Sequence, residues 1–246
     1  SYTISNLVPD TTLEFRIRTQ CDENSFSAWS DPLQVSTLPY QPATLPYSCN
    51  FENGEENAFW TISNGNQANA WYINTAVNNT LGGEQALYIS MDGGLTNTYQ
   101  NTETSAVWAY RDIQFPDANE FLLSFDWRCH GEGGGSYVWD YLSVYIGNPV
   151  RKEAGDESEP QRAVLLGNHL LTPAWSVAEY VLGNEYANTT KRLYFVWRND
   201  YSAGVNPPAA IDNISLRVVN CSRPLDLTVE NVTSTTATVS VTSTDE

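Results

Sequence analysis

The residues with the clearest capacity for recognition are the aromatic rings of residues 137–146, which read YVWDYLSVYI. Side chains of a β-strand point alternately to its two faces, so one face of this segment carries Val138, Leu142, Val144 and Ile146. The other face carries Tyr137, Trp139, Tyr141 and Tyr145. We expect the aliphatic face to belong to a core and the aromatic face to point outward.

Two further segments would add polar groups to the aromatic face if their strands are its neighbours in a sheet. In residues 121–128, FLLSFDWR, alternation points Asp126 and Arg128 away from the aromatic core row of that same segment. Arg198 points outward in the same way on its own segment. Sugars are bound by such groups, because their C–H faces stack on rings and their hydroxyls pair with carboxylates and guanidinium groups. The candidate ligand face therefore comprises Tyr137, Trp139, Tyr141, Tyr145, Asp126, Arg128 and Arg198.

A structural role for the same aromatic residues stays open as the alternative. Large rings fill the cores of β-sandwiches and the interfaces between modules, and a row of tyrosines on one strand also stabilises cross-strand packing. The position of Trp139 decides between the two interpretations, because a Trp139 covered by another module could not contact a ligand.

The elements that position these residues are strands. Nearly every periodic stretch has period two, and no window of a dozen residues keeps the apolar spacing of an amphipathic helix. Clusters of Gly, Asn and Pro recur at short intervals, as between the short strands of a sandwich. The 246 residues, 41% of them hydrophobic, suffice for a sizeable core. The sequence therefore predicts an all-β protein.

The charge of the chain excludes several classes of partner. The chain has 12 Lys and Arg against 29 Asp and Glu, a formal net charge of −17. Nucleic acids and anionic membranes require clustered basic residues, so we expect neither as a partner. No apolar run approaches the roughly 20 residues of a membrane-spanning helix, so no membrane insertion is expected. Neutral partners and cations remain.

The common templates of catalysis do not match the sequence, so we expect no enzyme. The chain has two histidines and no Gly-x-Ser-x-Gly motif. Residues 130–135, HGEGGG, precede a strand pattern and not a helix, which favours a hairpin connection over a phosphate-binding loop. Acidic pairs are numerous, but no spacing selects one for glycoside hydrolysis.

Two boundaries divide the chain. Residues 38–46 contain three prolines and are typical of an extended linker, and a new alternating pattern begins after residues 221–224. Only the segment between them is long enough for a complete domain. Within it, the highly charged residues 151–162 show no strand pattern and are interpreted as a solvated loop.

The two ends carry a resemblance of their own. Residues 6–20, NLVPDTTLEFRIRTQ, followed by Ala28-Trp29-Ser30, resemble the last three strands of a fibronectin type III module. Leu13 stands where that family usually has Tyr, so the tyrosine corner would be missing. Residues 223–246 are similar to the first two strands of a further module. Each end is thus predicted to be half a module.

The middle segment resembles the jelly-roll domains of the MAM and cleaved-adhesin families. The similarity lies in the order of short motifs over residues 48–219: NFENG at 50–54, FWT at 59–61, ALYIS at 86–90, LSFDW at 123–127, YLSVYI at 141–146 and AIDNISL at 210–216. Such domains flanked by fibronectin type III modules occur in secreted multidomain bacterial proteins. The resemblance therefore implies a secreted or cell-surface location.

A structural calcium ion is implied by the same resemblance. These jelly rolls hold a cation near their first and last strands, and Glu52 and Asp212 match the acidic positions of the corresponding motifs. Asn64 and Asn66 lie in a loop where the family often has aspartates. Carboxylate and amide oxygens are the ligands that calcium takes. The alternative is that Glu52 and Asp212 only accept hydrogen bonds from turns or face solvent.

The four cysteines allow two arrangements. The termini of a sandwich usually lie close together, so Cys49 and Cys221 could form a disulfide that closes the domain. In the fibronectin type III interpretation, Cys21 and Cys221 instead each have a partner in a missing half module.

These inferences combine into one prediction: a jelly-roll β-sandwich with partial fibronectin type III strands at both ends. The predicted boundaries are a half module over 1–38, a linker over 39–47, the jelly roll over 48–220 and a second half module over 221–246. The predicted function is non-catalytic adhesion or recognition of an extracellular glycan or protein. A structural spacer that positions a catalytic domain is the alternative, and a jelly-roll hydrolase is a third.

Overall fold

The structure is a computed structural model that describes residues 3, 4, 7, 11–37, 41–219 and 226–242. The chain divides into two compact units, Ser1–Gln41 and Pro42–Glu246. Strands account for nearly all of the regular structure in the described residues, which confirms the predicted all-β class. Among these residues, no helix combines the length and the apolar character that a membrane crossing requires.

The first unit contains four short strands: β1 (Thr12–Phe15), β2 (Gln20–Asp22), β3 (Ser25–Phe26) and β4 (Leu33–Ser36). β1 pairs antiparallel with β4, and β2 pairs antiparallel with β3. The Arg18 guanidinium lies 3.9 Å from the ring centroid of Phe26 and 4.6 Å from that of Trp29. The assignment of this unit to half a fibronectin type III module stays a prediction.

The second unit contains the remaining elements of the described residues. Its strands are β5 (Ala43–Thr44), β6 (Tyr47–Cys49), β7 (Thr61–Ser63), β8 (Ala70–Asn74), β9 (Ala86–Ser90), β10 (Ser105–Gln114), β11 (Phe121–Cys129), β12 (Glu132–Gly134), β13 (Tyr137–Gly147), β14 (Val164–His169), β15 (Thr172–Leu182), β16 (Thr190–Asn199), β17 (Ala210–Val218), β18 (Asp226–Glu230) and β19 (Thr238–Thr242). Its helices are α1 (Gly54–Asn57) and a 3-10 turn, Asn184–Tyr186.

Two sheets form the body of this unit. The seven-stranded sheet has the order β12-β13-β16-β10-β5, with β14 also paired to β13 and β7 to β10. The six-stranded sheet has the order β15-β11-β17-β9-β8, with β6 also paired to β17. Residues 43–47, predicted as part of the linker, contribute β5 and the first residue of β6. β18 and β19 form a separate antiparallel hairpin. They lie in the tail, where the sequence predicts an alternating strand pattern.

The core lies between the two sheets and accounts for the alternation seen in the sequence. Every second residue of β11 is buried, beginning with Phe121, as its period-two pattern predicts. Phe125 of the six-stranded sheet meets Phe195 of the seven-stranded sheet edge to face, with ring centroids 5.2 Å apart. Leu142, Val144 and Ile146 join this core, as predicted for the aliphatic face of β13. The result is a β-sandwich, consistent with a jelly roll.

A second, smaller apolar layer covers the outer face of the seven-stranded sheet. It consists of Trp108, Tyr110, Tyr145, Tyr194 and Val196, with Ala163 packed against it. Because this layer covers one face of β10 and the core covers the other, nearly all of β10 is buried.

The connection between β13 and β14, residues 148–163, lies over this layer. Tyr194 donates a hydrogen bond from its hydroxyl to the Asn148 carbonyl at 2.8 Å, and the Val150 N–H donates to the same hydroxyl at 2.8 Å. Lys152 is 3% exposed. Residues 151–162 form no strand and most of them are exposed, as predicted for a solvated loop. The prediction misses the burial of Lys152, because aromatic rings on the sheet give part of the segment a surface to pack against.

Candidate binding cleft

Four of the seven residues predicted for the ligand face lie together on the outer side of the seven-stranded sheet. β13 supplies Tyr137, Trp139 and Tyr141, and Arg198 on the neighbouring β16 stands directly opposite Tyr141 in the register. Tyr137 is 69% exposed and Trp139 is 40% exposed. These two rings stack on each other, with centroids 5.8 Å apart and planes inclined by 13°. Two flat aromatic surfaces are thus held side by side at the start of β13.

Tyr145 shares the face of these residues but is not available to a ligand. It is 4% exposed within the outer aromatic layer, because residues 148–163 fold over the second half of β13. Burial raises the pKa of its hydroxyl. Tyr145 points away from the main core, as predicted, but residues 148–163 cover it and make it inaccessible.

Asp126 and Arg128 lie in the other sheet, so the single predicted face does not form. Both belong to β11, which pairs with β15 and β17 and not with β13. Asp126 accepts hydrogen bonds from the Asn79 and Asn213 side-chain amides at 2.7 and 2.8 Å. Arg128 donates to the Asn97 side chain at 2.7 Å. Alternation gives the face to which a side chain points, but it does not say which sheet a strand joins.

The first half of β13 also departs from the predicted core face. Strict alternation would place Val138 and Asp140 on the same face of β13. Val138 is nevertheless 38% exposed, whereas Asp140 is fully buried. Here β13 pairs with the short strand β12. The aliphatic row therefore enters the main core only from Leu142 onward.

A cleft of about 300 Å³ opens beside the exposed aromatic residues. Trp139, Tyr141 and Arg198 form part of its lining, and so do Glu157 from the 148–163 connection and Asp200 and Tyr201 after β16. Tyr201 is 71% exposed. The sequence analysis did not find Glu157, Asp200 or Tyr201, because they lie in loops without periodicity and reach the cleft only through the fold.

Arg198 is fixed in the floor of the cleft by its neighbours. Its guanidinium donates hydrogen bonds to the Ser143 hydroxyl at 3.0 Å and to the Glu157 main-chain carbonyl at 3.2 Å. It also lies 5.9 Å from the ring centroid of Tyr141. These contacts connect the sheet to the loop that forms one wall, and they define the position of that wall.

An acidic cluster adjoins the cleft at Asp200. Glu132, Asp140 and Asp200 each place a carboxylate oxygen within 4.8 Å of the others, a spacing at which three carboxylates can hold a metal ion. Asp140 accepts hydrogen bonds from the Tyr99 hydroxyl at 2.6 Å and from the Asp200 N–H at 2.9 Å. Burial, reinforced by the negative charges of Asp200 and Glu132, raises the pKa of Asp140 to about 6.

The two carboxylates among the four residues predicted to bind calcium, those of Glu52 and Asp212, anchor one loop, residues 77–85, from two directions. Glu52 accepts hydrogen bonds from the main-chain N–H groups of Glu84 and Gln85, both at 2.7 Å. The buried Asp212 accepts from those of Asn79 and Thr80, at 2.6 and 3.0 Å. Burial is the main reason why the pKa of Asp212 is raised.

These hydrogen bonds give both carboxylates a role that requires no ion. N–H groups directed at carboxylate oxygens compete with a cation for the same lone pairs. Asn64 closes its own loop, accepting from the Trp71 N–H at 2.8 Å and donating to the Trp71 carbonyl at 2.9 Å, and Asn66 is exposed. Calcium at Glu52, Asp212, Asn64 and Asn66 stays a prediction.

The predicted disulfide also remains a prediction. Cys49 is buried at the end of β6, where burial raises the pKa of its thiol. Its candidate partner, Cys221, lies outside the described residues. Cys21 is exposed in the first unit.

Comparison with known proteins gives structural likenesses only. No protein-family model matches the chain, and no curated protein matches it. The structure is similar to the K1 cleaved adhesin domain of Lys-gingipain from Porphyromonas gingivalis W83, at 13% identity and a TM-score of 0.43 over 71% of this chain and 98% of that domain.

Two carbohydrate-binding modules are similar at the same level. TmCBM61 in complex with β-1,4-galactotriose has 14% identity and a TM-score of 0.38 over 65% of this chain and 88% of that one. TmCBM27, a module that recognises mannan, has 15% identity and a TM-score of 0.32 over 69% and 94%. The assignment of the fold to the β-sandwiches rests on the sheets described above.

Proposed function

We propose that this chain is a non-catalytic extracellular recognition module that binds a glycan in the cleft beside Trp139. The observation that carries the proposal is the stacked pair of Tyr137 and Trp139, which leaves large aromatic surfaces in solvent next to polar groups. Exposed rings of this size cost free energy in water, and the C–H face of a sugar covers them favourably.

The polar lining supplies the other half of sugar recognition. Glu157 and Asp200 offer carboxylate acceptors for hydroxyl groups, and Arg198 holds the wall that carries Glu157. The cleft volume lies at the lower limit of the roughly 300–1,000 Å³ usual for small-ligand sites. We infer a site for a short stretch of a glycan chain, and we propose the extracellular location that the resemblance to secreted jelly-roll domains implies.

The hydrolase alternative would rest on Asp140, whose raised pKa suits a general acid. Two features oppose this role. Asp140 is fully buried, and both of its oxygens already accept hydrogen bonds, from Tyr99 and Asp200. A general acid must reach the glycosidic oxygen of a substrate, and a carboxyl enclosed in this way does not.

Glycan-array screening followed by calorimetry tests the proposal. Trp139→Ala should weaken binding of any glycan found by about tenfold or more, corresponding to about 1.4 kcal/mol. Trp29→Ala is the matched control, because Trp29 is an exposed tryptophan of the other unit, and it should change affinity less than twofold. A folded wild-type protein that binds no glycan would favour the spacer, and equal losses in both variants would contradict the cleft.

A further inference from the structure

The charges around the cleft are unbalanced. Glu157 and Asp200 line it with two carboxylates, and among the described residues Arg198 is the one basic side chain of the lining. Glu132 and Asp140 add two further carboxyl groups, each within 4.8 Å of that of Asp200. A cleft with this composition attracts positive charge and repels negative charge, and the formal net charge of −17 acts in the same direction.

Arg198 offsets this imbalance only in part, because contacts within the protein already engage its guanidinium. Its two terminal nitrogens donate to Ser143 and to the Glu157 carbonyl. The guanidinium also lies 5.4 Å from the Trp108 ring centroid. Two of the five guanidinium N–H donors are thus already used within the protein, and a ligand carboxylate would compete for the remaining ones with a group held in place by the wall of the cleft.

A protonated amine, in contrast, has partners of two kinds in the cleft. The faces of the exposed Trp139 and Tyr201 rings attract a cation through the ring quadrupole. The carboxylates of Glu157 and Asp200 accept charge-assisted hydrogen bonds from an ammonium group. Aromatic faces with adjacent carboxylates are the combination that recognises an amine attached to an apolar frame, which is the character of an amino sugar.

We propose that the cleft selects glycans by charge, binding free-amine hexosamine chains in preference to neutral chains and rejecting uronic acids. The inference rests on the proposed function, since it names the class of glycan that the same cleft takes. Trp139 provides the stacking surface, and Glu157 and Asp200 provide the discrimination.

Matched trisaccharides measure this preference. We would titrate β-1,4-linked trimers of glucosamine, N-acetylglucosamine, glucose and glucuronic acid by calorimetry at pH 6, together with the corresponding galacto series. The free-amine trimer of one series should bind at least fivefold more tightly than its N-acetylated and neutral counterparts, and the uronate at least tenfold more weakly than the amine. The variant Glu157→Gln/Asp200→Asn should bind the amine and the neutral trimers equally. Glu179→Gln, an exposed acid of the six-stranded sheet, should retain the preference.

A control distinguishes binding in the cleft from the nonspecific attraction of a cation to an acidic protein. Trilysine carries similar charge without a sugar ring, so Trp139→Ala should weaken the amine trimer by a larger factor than it weakens any trilysine binding. Amine binding that survives Trp139→Ala would overturn the inference. Equal or tighter binding of the uronate would overturn it while leaving glycan binding intact, and failure of every trimer in both series would overturn both proposals.

Discussion

The indole N–H of Trp108 donates a hydrogen bond to the main-chain carbonyl of Asp156 at 3.0 Å, joining the outer face of β10 to the 148–163 connection. The neighbouring Lys152 lies 4.8 Å from the Trp108 ring centroid and donates to the Ser158 carbonyl at 2.7 Å. A charged segment is thus held against an aromatic layer by hydrogen bonds to its own backbone. Because Glu157 belongs to this segment, the same contacts position one wall of the cleft.

Lys152→Ala should release this segment. The substitution removes a buried ammonium group that also pairs with Asp156, and we expect a loss of about 2–3 kcal/mol of stability together with faster amide exchange in residues 148–163. Hydrogen exchange with mass spectrometry measures the amide exchange rates of this segment directly. Lys191→Ala, which removes an exposed bond to Asn148, should cost less, and unchanged exchange in the Lys152 variant would contradict the anchoring role.

Asp112→Ala should destabilise the sandwich strongly. Asp112 and Arg192 form a buried bidentate pair, with oxygen–nitrogen distances of 2.5 and 2.9 Å, and removal of one partner leaves an uncompensated buried charge. We expect a loss of about 3–5 kcal/mol in denaturant unfolding. The double variant Asp112→Leu/Arg192→Met should recover most of that loss. A double variant as unstable as the single one would show that the pair itself, and not the stranded charge, is the source of stability.

Asp212→Asn should destabilise the protein equally with and without calcium. The substitution weakens the acceptors that hold Asn79 and Thr80, and we expect a cost of about 2 kcal/mol. Thermal unfolding in millimolar calcium and in chelator measures it. If calcium raises the wild-type midpoint and the Asn variant abolishes that rise, the calcium site predicted from the sequence is present.

His169 should make stability fall in mild acid. It packs against Trp127 with centroids 4.4 Å apart, its Nε2 lies 2.8 Å from the Tyr180 hydroxyl, and burial lowers the pKa of its imidazole to about 4. Unfolded His169 takes up a proton near pH 6.5, whereas the folded form does so only near pH 4. The contribution is therefore complete above about pH 6.5 and is lost as the pH falls toward 4, by up to about 3 kcal/mol.

Urea unfolding at a series of pH values between 7 and 4 measures this dependence. His169→Phe keeps a ring in the core and should flatten the profile over that window, while His130→Gln should retain the wild-type profile. Parallel profiles for the wild type and His169→Phe would contradict the assignment to His169.

The parts of the structure that the sequence predicts are those in which one face of a sheet meets the core. Phe121 and Phe125 of β11, and Leu142 and Val144 of β13, lie on the face of each strand that packs against the other sheet. Period two therefore identifies these faces without knowledge of the topology. Pairing is different: β11 and β13 lie close along the chain but join opposite sheets, so Asp126 could not be placed beside Trp139 from its pattern.

Only the residues of the cleft that lie on strands could be predicted from the sequence. Trp139 and Tyr141 lie on a strand, and neither belongs to the core, as their pattern predicts. Glu157 lies in the connection that covers the outer aromatic layer, and Tyr201 lies in the connection after β16. The course of each connection depends on the part of the fold against which it packs. No local pattern encodes such contacts, because the partners are far apart in sequence.

The 148–163 connection has a consequence for how such a protein can diversify. It joins two antiparallel neighbours, β13 and β14, whose pairing does not depend on the length of the chain between them. A replacement segment of different sequence is therefore compatible with this strand pairing only if it still covers the outer aromatic layer. Because Trp108 and Tyr194 would be exposed by a shorter replacement, the loop and the rings beneath it must be inherited together. Specificity and solubility are then changed by the same substitutions.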